Sequence, residues 1–165
     1  MLRCAYVDLD RTLRGAGGSF LHDADGGFTL LGARALEACA RAGVEPVVYA
    51  DEDPGAAARL LGLRAWIAGD VLVLDGEEIG TAGLADAVER HMRARGCARD
   101  EALAVAGERG LESVVGTLWI AGRALDDPLL RLELEERPRV RMAEERGPAA
   151  LYEAVVTTLA EGRAA

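Results

Sequence analysis

The sequence predicts an α/β protein, a three-layer α/β/α sandwich built on a mainly parallel sheet. Three observations carry this. Short apolar runs recur along the chain, among them CAYV at 4–7, PVVYA at 46–50, ALAVA at 102–106 and TLWIA at 117–121. Between them lie stretches whose apolar residues fall at helical spacing, so strands and helices alternate, as they do in parallel sheets. The chain is 165 residues long and half of those are apolar, which suits one domain with a single core.

Taken in order, Cys4–Asp8 reads as the first strand, an apolar run that ends in acid. Residues 14–30, rich in glycine and polar side chains, read as a loop or small hairpin. Gly32–Ala42 has helical periodicity, and Glu45–Ala50 is a second buried strand. Pro54–Leu61 starts a helix with proline in its first turn after Asp53 as cap. Arg64–Ala68 is a short strand. In Val71–Ile79 an Asp-Gly pair sits between strand-like flanks, a hairpin signal. Leu84–Arg95 is a helix with Leu84, Val88 and Met92 on one face. Ala102–Ala106, Thr117–Ala121 and Val140–Met142 are further strands, and Pro148–Ala160 is a closing helix. The acidic stretch Glu133–Arg137 reads as a solvated face or loop. Trp66 and Trp119 lie in apolar strands and read as packing.

Charge and composition exclude several classes. The formal net charge is −9, and no basic stripe exists to neutralise a phosphate backbone, so nucleic acid is not an expected partner. No apolar run approaches the ~20 residues of a membrane span, and no signal peptide is expected. The cysteines, Cys4, Cys39 and Cys97, are odd in number and widely spaced. That pattern suits reduced, buried thiols in a cytoplasmic protein better than a disulfide framework or a zinc site. All nineteen basic residues are arginine, which removes lysine from every catalytic role.

The chemistry is concentrated where the first strand ends. Asp8 and Asp10 sit one residue apart, followed by Thr12. Period two along a strand aims both carboxylates the same way, and such a pair repels unless a cation or a shared proton intervenes. A hard divalent ion such as Mg²⁺ answers that need with oxygen ligands.

Asp8-Leu9-Asp10-Arg11-Thr12-Leu13 resembles the first motif of the haloacid dehalogenase (HAD) superfamily, Asp-x-Asp-x-Thr-Leu at the end of the first strand. The resemblance extends further. Residues 14–30 stand where that superfamily has a flap. Ala35–Val48, Leu61–Ile79 and Glu144–Leu159 resemble members that act on sugar phosphates, including mannosyl-3-phosphoglycerate phosphatases. The cap domain inserted in that subgroup has no counterpart, because the 71–79 hairpin runs almost directly into the helix at Leu84. The resemblance implies a single HAD-like (Rossmannoid) domain over 1–165 with a small flap and no large cap. It implies an Mg²⁺-dependent phosphatase in which Asp8 attacks phosphorus to form an aspartyl-phosphate. Asp10 would serve as general acid/base, and Thr12 completes the catalytic motif.

Three departures from the family pattern matter. The hydroxyl donor of the second motif is replaced by Ala50, followed by Asp51 and Glu52, and a slip of one residue would offer Tyr49 instead. The lysine of the third motif would fall near Ala82 and is absent; Arg59, Arg64, Arg90 and Arg93 are the candidate substitutes, with a fixed guanidinium fork in place of a mobile ammonium. The fourth motif reads Gly107-Glu108-Arg109-Gly110-Leu111-Glu112, so Glu108 and Glu112 would join Asp8 and Asp10 as metal ligands. His22 and His91 are isolated from any metal-binding spacing. The expected substrate is a phosphorylated small molecule or macromolecule, with no membrane partner, and an open, capless site suits a homo-oligomer that covers it. The alternative is a catalytically degenerate HAD-like protein with a binding, scaffolding or regulatory role.

Overall fold

The computed structural model describes residues 1–50, 72–75, 79–107, 110–121 and 127–164. Its strands are β1 (Cys4–Asp8), β2 (Glu45–Ala50), β3 (Leu72–Asp75), β4 (Ala102–Ala106), β5 (Thr117–Ile120) and β6 (Val140–Met142). They form one sheet in the order β3-β2-β1-β4-β5-β6, with every pairing parallel. The described helices are α1 (Leu31–Arg41), α2 (Leu84–Arg95), α3 (Pro128–Glu135) and α4 (Gly147–Ala164).

Side-chain alternation along the strands divides the core into two layers. Ala5 and Val7 of β1 share one layer with Val48, Leu103, Val105 and Trp119, under Leu36 and Cys39 of α1 and Leu151 and Val155 of α4. Cys4 and Tyr6 face the other way, with Val47, Tyr49, Ala104 and Ile120, under Val88 and Met92 of α2 and Leu134 of α3. Strands buried on both faces explain why these runs are nearly continuous in apolar residues.

The expected α/β/α sandwich is therefore observed. The face of α2 marked by Val88 and Met92 is buried as its spacing predicts, with Leu84 partly buried beside it. Residues 72–75, read as one arm of a hairpin, form a strand parallel to β2. The other arm, the Pro54–Leu61 helix, the Arg64–Ala68 strand and Trp66 lie outside the described residues.

The stretch read as loop or solvated face around Glu133 contains the end of α3. Asp127 caps that helix by accepting from the N–H groups of Leu129 and Leu130 (both 3.1 Å), with Pro128 in the first turn. The 14–30 segment is a compact loop with short antiparallel pairing at the His22–Phe28 bridge, flanked by the Thr29 N–H donating to the Leu21 carbonyl and the Asp23 N–H donating to the Gly27 carbonyl (both 2.9 Å). It packs its Phe20 ring under the Arg14 guanidinium, 5.6 Å away.

The thiols of Cys4, Cys39 and Cys97 are all free and buried, and burial pushes Cys39 and Cys97 up to about 12. Trp119 anchors α4 to the sheet: its indole N–H donates to the buried Thr158 hydroxyl (3.0 Å). Arg141 of β6 covers the same ring at 4.3 Å and pairs with Glu161 (2.7 Å).

Candidate active site

Strand order reverses between β1 and β4, where the chain continues outward to β2 on one side and to β5 on the other. In open parallel sheets this switch point opens a crevice beyond the carboxyl ends of the strands. Asp8 ends β1 and Gly107 follows β4, so the paired acids and the fourth motif's glycine meet at that crevice.

After Asp8 the backbone makes a single π-type turn, Leu9–Leu13, closed by the Arg14 N–H donating to the Leu9 carbonyl (3.0 Å). Such turns concentrate at functional sites because they push side chains out of regular register. Here the turn folds its own donors onto Asp8. Oδ1 accepts from the N–H groups of Asp10 (3.1 Å) and Arg11 (3.2 Å). Oδ2 is held more loosely, by an Arg11 guanidinium nitrogen and by the Gly107 N–H, both at 3.4 Å. The fully buried Thr12 hydroxyl donates to the Asp8 carbonyl, so Thr12 fixes the Asp8 backbone rather than touching its carboxylate.

Asp8 is 5% exposed. Burial pushes its carboxyl above the usual range, against the opposing pull of the Arg11 N–H, the Arg11 charge and the Gly107 N–H. A buried carboxylate fixed by donors on one oxygen and loosely held on the other has the geometry of a nucleophile with one presentable oxygen.

Asp10 shares the turn, but its carboxylate leans to Arg14 (3.3 Å). Asp8, Arg11, Tyr49, Ala106, Leu84 and Leu111 surround a cleft of about 60 Å³. Tyr49 was the weaker reading of the second motif; it stands in register with Asp8 on the neighbouring strand and so faces the same side. Ala50 is buried, and Asp51 and Glu52 lie outside the described residues.

The remaining candidates divide. Arg90 pairs with Asp86 (2.8 Å) and Arg93 with Glu89 (3.5 Å), each on its own helix, so the structure gives neither the lysine's place. Arg59 and Arg64 lie outside the described residues. Ala82 is exposed in the turn before α2.

Glu112 binds Arg137, and its carbonyl accepts from Arg99 (3.0 Å); the three residues line a different cavity from Asp8's. Glu108 lies outside the described residues. Among the described residues, no three His, Cys, Asp or Glu side chains gather as a metal-ion site. Of the expected quartet, Asp8 and Asp10 share a turn, each facing an arginine, and Glu112 is turned to Arg137. As described, these residues do not fit a divalent ion.

The surroundings of two residues escaped the sequence reading. Arg11 occupies a position that the motif leaves open, and the signal that could have drawn attention to it was its charge in a chain without lysine. His91 looked isolated, but its Nδ1 lies 2.8 Å from the Tyr6 hydroxyl and its Nε2 3.7 Å from Glu45. Burial lowers its pKa.

No family profile and no curated protein matches this sequence. Solved structures do match in shape. A protein of Streptomyces avermitilis assigned to the HAD family of hydrolases superposes with a TM-score of 0.65 at 17% identity, over 94% of this chain and 83% of that one. The fold is that of the HAD hydrolases. The cobalt-bound deoxy-D-mannose-octulosonate 8-phosphate phosphatase of Haemophilus influenzae gives 0.64 at 16% identity, over 98% of this chain and 90% of the other. The 3-deoxy-D-manno-octulosonate 8-phosphate phosphatase of Moraxella catarrhalis, solved with magnesium ion, phosphate ion and KDO, also gives 0.64, at 14% identity, over 96% and 86%. Among the described residues no helix is long and apolar enough to cross a membrane.

Proposed function

We propose that this HAD-fold chain hydrolyses phosphate monoesters through Asp8, with a phosphorylated sugar as the first substrate class to try. The observation that carries the reading is the held carboxylate at the switch point: Asp8 is buried and lines a cleft, its Oδ1 is fixed by two N–H groups and its Oδ2 is more loosely bound.

In this reading Oδ2 forms the bond to phosphorus while the ester P–O bond breaks. Asp10, in the same turn, gives a proton to the departing oxygen. Water then attacks the aspartyl-phosphate and Asp10 takes a proton from it. Breaking the Oδ2–P bond frees phosphate and restores the Asp8 carboxylate. The divalent ion that the family implies has no donor set among the described residues.

A second reading, a degenerate HAD-like protein that binds or scaffolds, is favoured by the small cleft. At about 60 Å³ it is well below the roughly 300–1,000 Å³ of ordinary ligand sites, so a substrate must open it.

Hydrolysis of p-nitrophenyl phosphate and a phosphosugar panel separates the two. Turnover by the wild type that Asp8→Asn removes supports the enzyme; no turnover with any member, from a folded protein, leaves the binding role.

A further inference from the structure

The guanidinium of Arg11 lies across the site that a divalent ion would need. Arg11 spans the Asp8 carboxylate, its own N–H on Oδ1 at 3.2 Å and its guanidinium on Oδ2 at 3.4 Å. The path of the side chain is open only because residue 107 is glycine. A Cβ there would stand 1.8 Å from Arg11 Cδ and 2.8 Å from Nε. Gly107 is not in the left-handed region, so its backbone does not require glycine. What excludes a side chain at 107 is the arginine stem. The chain has no lysine, and Arg90 and Arg93 bind carboxylates on their own helix.

We propose that Arg11 is the resident cation of this site and competes with divalent ions for Asp8. Magnesium demands close oxygen ligands in near-octahedral geometry, and a second cation beside the guanidinium meets like-charge repulsion at a buried carboxylate. As an occupant of Asp8, Arg11 stands on the geometry alone. As the charge that steadies a phosphoryl group, it rests on the phosphatase reading. Oδ2 would exchange its guanidinium contact for phosphorus, and the planar fork would pass to the phosphoryl oxygens, which it suits bidentately.

The test is calorimetric titration of the full chain with Mg²⁺ alone, without substrate. The wild type should give no saturable binding, while Arg11→Gln should bind at least about tenfold more tightly. Binding should vanish again when Asp8→Asn is added, and Arg11→Lys should stay near the wild type. Gly107→Ala lifts the same side chain without removing its charge, and should also gain Mg²⁺ binding if Arg11→Gln does not fold. Wild type and Arg11→Gln responding alike, at any affinity or none, overturns the proposal, as does binding that ignores Asp8. Phosphatase turnover, if found, should survive a chelator in the wild type; turnover abolished by chelation and restored by Mg²⁺ also overturns it. Absence of turnover in every variant would sink the phosphatase reading and leave the titration result standing.

Discussion

Substituting Gly107 by alanine should change sign with the residue at position 11. In the wild-type background the new Cβ would overlap Arg11 at Cδ (1.8 Å), Nε (2.8 Å) and Cγ (2.9 Å). The arginine side chain is flexible and must swing away, so Asp8 loses a charged partner. A hydrogen bond to a charged group contributes roughly 1.5–3 kcal/mol. This one is long, and the Arg11 side chain is 36% exposed, so solvent screening reduces the loss to about 1 kcal/mol. Taken alone that loss is a fall of about 2–4 °C in Tm, partly offset because alanine also restricts the unfolded chain by about 0.4–1 kcal/mol. In an Arg11→Ala background nothing is displaced. The same substitution then restricts only the unfolded chain and should stabilise by about 0.4–1 kcal/mol. That unfolded-chain gain is common to both backgrounds and cancels, so the coupling between the two sites is about 1 kcal/mol, readable from urea denaturation of the four proteins in a double-mutant cycle. Equal effects of Gly107→Ala in the two backgrounds would refute the account of Arg11 lying against that backbone.

Two further outcomes follow from buried polar groups. Thr158→Val leaves the Trp119 indole N–H without its 3.0 Å acceptor and should cost about 1–3 kcal/mol in urea unfolding, with Thr158→Ser close to wild type. His91 is surrounded by Tyr6, Glu45 and Arg95, and burial holds its folded pKa below the usual 6.5. The unfolded chain then binds the extra proton first, so stability present above 6.5 is lost as pH falls through the lowered folded value. The Tm difference between wild type and His91→Gln should shift against the wild type on acidification below that range, and a difference independent of pH would contradict it.

The strands were legible because burial on both faces leaves runs such as CAYV and ALAVA with little ambiguity, and α2 because Val88 and Met92 keep helical spacing. Helix α3 was missed although Asp127-Pro128 is a start signal, because its exposed Leu129 and Leu132 blur the apolar face that marks a helix. In the site, the motif located Asp8, Asp10 and Thr12. It concealed Arg11, since a position that a pattern leaves open says nothing about where a long side chain goes. Tyr49 entered only through a one-residue slip of the second motif, yet pairing Tyr49 with Asp8 in register places both on one side. Glu112 kept the spacing of a ligand but its partner is Arg137, a long-range pairing that sequence distance does not reveal.

Strand β1 lies at the middle of the sheet, and its register ties Cys4 to Glu45 on one side and to Ala102 on the other. During synthesis its second neighbour leaves the ribosome about a hundred residues after it. At roughly 5–20 residues per second that is a wait of about 5–20 s. For that interval one edge of an apolar strand stands open, as a template for any passing extended segment. Nascent-chain aggregation and chaperone capture should therefore peak before residue 106 has emerged, and fall once β4 has docked.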